Sequence, residues 1–192
     1  MGSIEPDMKM CMEQDKGRRT ERNRLAGPRA ETAPAATEEL FALPLDLTEW
    51  IEQCTLLEWV EADVEQFDWK HPELVAYLGQ HPEYRPKSLL CLLTYAYAIQ
   101  VYGSEEIVNR CYSDTVFRLL SENKAPAAAE LRRFRRENRG LLKGMLMALF
   151  TRAVRQKFAL GDVLLPAGFK RYLLDAAVER LDIARYMDHP SE

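Results

Sequence analysis

Residues 86–103 read PKSLLCLLTYAYAIQVYG, and this stretch decides the fold class. Pro86 suits the first turn of a helix, where a missing N–H removes no hydrogen bond. Leu89, Leu90, Leu92, Leu93, Ala96, Tyr97 and Val101 then cover nearly the whole helical circumference. The segment therefore predicts a central core helix from Pro86 to Tyr102, stopped by Gly103. Polar groups at Thr94, Tyr95, Tyr97 and Gln100 interrupt the run, and nowhere in the chain do eighteen apolar residues follow one another, which argues against a membrane span.

Upstream, Pro82 and Pro86 bracket Tyr84 and Arg85 in an extended lead-in, because a residue before proline avoids the α region. Pro72 opens a short helix through Leu78. Further back, Thr48 is the expected cap of a helix in which Leu47, Trp50, Ile51, Cys54 and Leu57 recur at three and four residues, ended by the acidic stretch Glu61 to Asp68. Residues 1–37 mix charges with Gly17, Gly27, Pro6, Pro28 and Pro34 and hold no apolar period, so they read as a disordered arm before an all-α domain at 38–192.

Downstream, Ser104 is the expected cap of a helix with Glu105 and Glu106 in its first turn and Ile107, Val108 and Cys111 facing inward. Asp114 caps a further short helix carrying Val116, Phe117, Leu119 and Leu120. Pro126 opens the longest pattern, one helix reaching about Phe158. On its wheel Leu131, Phe134, Leu141, Met145 and Leu149 fall within roughly 80° of one another, while Arg132, Arg136, Arg139 and Lys143 fall within about 60° and lie roughly opposite. Arg133 and Arg135 flank the apolar stripe. Val163 to Leu165 reads as extended, and a last helix runs from about Phe169 to Met187. No segment alternates with a period of two and no repeat recurs, so the class is all-α, with a helix-turn-helix-like unit.

The net charge of −4 conceals segregation. Residues 38–83 hold twelve acidic groups against Lys70, a net of −11, and residues 116–157 hold eleven basic groups against Glu122, Glu130 and Glu137, a net of +8. Binding responds to the local field, so the basic helix points to a polyanion and makes Arg132, Arg133, Arg135, Arg136, Arg139 and Lys143 the candidate DNA-contacting residues. The competing expectation is a helical protein-interaction module, in which the acidic 38–83 segment meets a basic partner or folds over the basic helix.

Other chemistry is absent from the sequence. No GxSxG, HExxH, P-loop or GxGxxG occurs. Cys11, Cys54, Cys91 and Cys111 form no CxxC, and His71, His81 and His189 stand near none of the spacings zinc needs, so no metal or other cofactor is expected. Cys54 and Cys91 read as buried, inert thiols. Trp50, Trp59 and Trp69 read as packing residues. The N-terminus has no apolar h-region, which makes the cytoplasm the expected compartment.

The run Tyr84-Arg85-Pro86-Lys87, Leu89-Leu90, Tyr95-Ala96-Tyr97, Gly103-Ser104 and Ile107, followed by Phe117-Arg118, Leu120, Pro126 and Phe134-Arg135-Arg136, resembles the InsH-type N-terminal domain of insertion-sequence transposases over residues 84 to about 150. Ala127 and Glu130 stand where that family's pattern carries Asp and Thr. The resemblance implies a DNA-binding part that recognises terminal inverted repeats, with double-stranded DNA and either a transposase or a second copy of the chain as partners, and no membrane. The Asp-Gly-Thr-like strand that opens the family's DDE catalytic domain has no counterpart in GDVLLPAGFKRYLLDAAVERL, residues 161–181, so no enzymatic activity is expected.

Overall fold

The computed structural model describes residues 42–67, 69–70, 72, 75 and 85–188. The chain divides into two units between Ala42 and Leu43; the first, with the expected arm, lies outside the described residues apart from Ala42, and so does most of the short helix expected at 72–78. The described part of the second unit is all-α, with an isolated antiparallel bridge between Asp46 and Ile99 as its one β-type pairing.

A 3₁₀ turn at Leu47–Glu49 is capped by Asp46, whose Oδ1 accepts from the Thr48 N–H at 2.8 Å. Asp46 therefore takes the capping role expected of Thr48. The chain breaks at Glu52 and restarts as α1, Gln53–Glu65. That break resets the helical phase. Leu56, Trp59, Val60 and Val64 go inward, and Cys54, in the first turn, turns outward and is exposed. The expected burial of Cys54 is thus corrected, because the period that placed it inside ran through a backbone that is not continuous helix. Cys91 is buried as expected.

Helix α2, Pro86–Ala98, is buried from Leu89 to Ala98, with Leu93 and Tyr97 fully enclosed. It ends earlier than expected. Gln100 takes a left-handed φ of 64°, and the Val101 N–H reaches back to the Ala96 carbonyl at 2.9 Å, the helix-ending hydrogen bond that a glycine usually permits. Gly103 instead precedes α3, Ser104–Ser113. Asp114 caps α4, Thr115–Leu120, accepting from the Val116 N–H at 2.7 Å and the Phe117 N–H at 3.3 Å, as expected.

The long helix expected after Pro126 is two helices, α5 at Ala128–Glu137 and α6 at Arg139–Lys157. Asn138, at φ −117° and ψ 30°, separates them, and its side-chain Nδ2 donates to the Phe134 carbonyl at 3.0 Å. Glu130 provides half of a capping box at the start of α5, accepting from the Ala127 N–H at 3.0 Å; alanine has no side-chain acceptor to complete it. The last helix, α7, spans Ala167–Asp188 and packs on α6.

Two buried arginines fasten this frame. Arg180 of α7 donates to the carbonyls of Tyr97 at 2.7 Å and Ala98 at 3.0 Å, and to that of Pro44 at 2.6 Å, with its guanidinium 4.5 Å from the Phe150 ring centre. A cation there complements the C-terminal dipole of α2 and satisfies carbonyls that no helical N–H reaches. Burial lowers the Arg180 pKa from its ordinary value. The second, Arg135, belongs to the basic run itself.

Candidate nucleic-acid interface

On α5 the buried positions are Leu131, Phe134 and Arg135, followed by Asn138 at the break, a stripe at i, i+3, i+4 and i+7. Opposite it at 100° per residue lie Arg133 and Arg136, each within roughly 30°, while Arg132 sits nearer the flank. Arg136 is exposed and Arg133 partly so. On α6, Leu141, Leu142, Met145, Leu146, Leu149 and Phe150 go inward, leaving Gly140 and Gly144 exposed with Lys143 partly exposed beside them.

Arg135 is 2% exposed, so it offers no surface for a base edge; this corrects its place among the candidate contacts. Its Nη1 donates to Asp188 Oδ2 at 2.6 Å. The same carboxylate accepts from the backbone N–H of Ser104 at 3.0 Å and from the Ser104 hydroxyl. Asp188, at the far end of α7, thus caps α3 in place of the expected Ser104 and neutralises Arg135 at once. Burial by itself lowers the Arg135 pKa, but Tyr97 and Asp188 outweigh it and hold the guanidinium above its ordinary value. One cation of the +8 segment is therefore a core ion-pair member.

Four of the five remaining candidates divide into two kinds. Arg132 Nη1 stands 3.4 Å from Glu105 Oε1 in the first turn of α3, and Arg139 Nη2 stands 2.9 Å from Asp182 Oδ1 of α7. Arg136 and Lys143 pair with no carboxylate among the described residues. The acidic segment meets the basic one elsewhere. Asp63 of α1 lies 3.4 Å from Arg152, whose guanidinium also stands 4.5 Å over Trp59, and burial raises the Asp63 pKa more than Arg152 lowers it. Trp50 packs edge-on against Phe158 at 5.7 Å and Trp69 against Phe67 at 5.8 Å, the packing roles expected of them.

Sequence reasoning did not find Glu105, Asp182, Asp188 and Arg180 as partners of the basic helix and of α2. Glu105 was legible only as a dipole-favourable carboxylate. Asp182 and Asp188 lie 43 and 53 residues from the arginines they meet, beyond any local pattern.

Among the described residues no helix is long and apolar enough to cross a membrane, and no group of three or more His, Cys, Asp or Glu stands together to hold a metal ion. Neither the curated proteins nor the solved structures contain a match to the chain. Residues 46–137, just under half of the chain, match a family described as "Transposase domain (DUF772)". The matched segment starts at the Asp46 cap and stops on the last residue of α5, so α6 and α7 lie beyond it although they complete the same core. Residues 46–137 thereby tie the chain to a transposase-related family.

Proposed function

We propose that this chain is the DNA-recognising part of a transposase-related protein and that it contacts duplex DNA through the outer side of α5 and the start of α6. The observation that carries the reading is that the transposase-domain match ends on the helix whose outward side holds Arg133 and Arg136. The single stripe expected of Arg132, Arg136, Arg139 and Lys143 does not form, because Arg132 is 14% exposed at the flank of α5 and the break at Asn138 puts Arg139 and Lys143 on a second helix; these two stand partly exposed at the start of α6, where Gly140 and Gly144 leave the backbone open to close approach. The target, by the resemblance to InsH-type domains, is a terminal inverted repeat, bound with a transposase or a second copy of the chain. The chain contributes recognition and no strand chemistry.

The test is a fluorescence-anisotropy titration of labelled duplex at several salt concentrations. Affinity falls as salt rises, and Arg136→Ala and Lys143→Ala each reduce the log–log slope by about one unit, the signature of one lost phosphate contact. With Mg²⁺ or Mn²⁺ the protein leaves the DNA uncut; metal-dependent nicking that survives repurification overturns the non-catalytic part. Glu58 and Glu61 remain exposed on α1, which favours a second reading, a protein-interaction module for a basic partner. That reading takes over if no duplex binds at low salt.

A further inference from the structure

The cations that the proposed function assigns to phosphate are held in two different states. Arg136 and Lys143 stand without a carboxylate partner among the described residues, whereas Arg132 and Arg139, seven positions apart, are each turned toward an acid on a neighbouring helix. Packing of α3 on α5 and of α7 on α6 brings each acid to its arginine. Asp188 ties the end of α7 to Ser104 at the start of α3, so Glu105 is the residue next to that joint and Asp182 lies about 9 Å before it along α7. Glu105 thus faces Arg132 of α5, and Asp182 faces Arg139 of α6, on either side of the Asp188 contact.

We infer that Glu105 and Asp182 act as built-in counter-ions that regulate this face, occupying Arg132 and Arg139 until a phosphate backbone displaces them. Both carboxylates are largely exposed, at 73% and 55% of side-chain surface, and Arg139 is 40% exposed, so the Arg139–Asp182 pair is weak and open to competition; Arg132, at 14%, offers a phosphate only the edge of its guanidinium. A single weak anion gains little by displacing an intramolecular partner. A polyanion already held by Arg136 and Lys143 presents further phosphates close to both pairs, so exchange becomes effectively intramolecular. The device therefore favours a continuous phosphate track over isolated anions and steepens the dependence on ligand charge. It rests on the DNA reading above.

The experiment uses the full chain and a labelled duplex of arbitrary sequence, titrated by anisotropy across salt. Glu105→Gln and Asp182→Asn are compared with Glu49→Gln, which removes the same charge from an exposed residue in the 3₁₀ turn. Each gate variant is expected to tighten binding by up to about fivefold beyond that control, the range set by exposed ion pairs. In an Arg139→Ala background the excess effect of Asp182→Asn disappears, because no cation remains to be released. Equal effects of all three single variants, or an Asp182→Asn excess that persists without Arg139, overturn the gate while leaving DNA binding intact. Absence of binding by every variant at low salt overturns both the gate and the DNA reading. Circular-dichroism melting of each variant checks that the fold is retained, as expected for exposed substitutions.

Discussion

Arg135 and Arg136 are adjacent, identical in chemistry and part of one basic run, yet one is enclosed in the core and the other stands in solvent. The difference comes from a single helical step of about 100°, which carries Arg135 to the side lined by Leu131 and Phe134. A guanidinium there survives only because Asp188 and Tyr97 compensate it. A count of cations along a chain is not a count of cations on a surface. Arg135 acts through stability and Arg136 through the field the protein shows its partner.

The largest effect is expected from removing the compensating carboxylate. Asp188→Ala leaves Arg135 buried without its partner and Ser104 without its cap, and is expected to cost about 3 to 5 kcal/mol in chemical denaturation. Arg136→Ala is expected to change stability by no more than about 0.5 kcal/mol. If the two variants are equally stable, Arg135 is not a core residue. Leu93→Ala supplies the apolar yardstick: a fully buried leucine of α2 should cost about 2 to 5 kcal/mol, and a loss under about 1 kcal/mol means that α2 is peripheral.

A smaller effect repeats the contrast in thiols. Burial, with Glu61 nearby, pushes the Cys91 pKa up to about 12, while Cys54 is exposed. At pH 8 Cys54 should therefore alkylate readily and Cys91 only on unfolding, since the thiolate is the nucleophile. The folded pKa lies above that of an unfolded thiol, near 8.5, so the unfolded chain releases the proton first. Stability from this group is full below about pH 8.5 and declines as pH rises toward 12. Equal labelling rates at Cys54 and Cys91, read by mass spectrometry, count against the burial of α2.

Much of the architecture was legible in local chemistry. Pro86 marks the start of α2, Asp114 caps α4, and the apolar circumference of residues 89–98 states that this helix has no solvent face. The transposase likeness was also carried by residues in sequence, although the matched segment, 46–137, begins well before the resemblance at 84–150 and stops before its end. Periodicity failed at two places, Glu52 and Asn138, and for one reason. A helical wheel assumes unbroken backbone, and neither break carries proline or glycine to announce it.

By itself, then, the sequence determined the all-α class, the core helix and the existence of a basic helix, because helix periodicity, proline and capping act within a few residues of one another. Only the tertiary structure decided which arginines reach the surface and which are already neutralised. That choice belongs to Asp188, Asp182 and Glu105, brought from 53, 43 and 27 residues away to Arg135, Arg139 and Arg132. A charge takes its role from the carboxylate and the solvent around it, and both are set by how α3 and α7 close against α5 and α6.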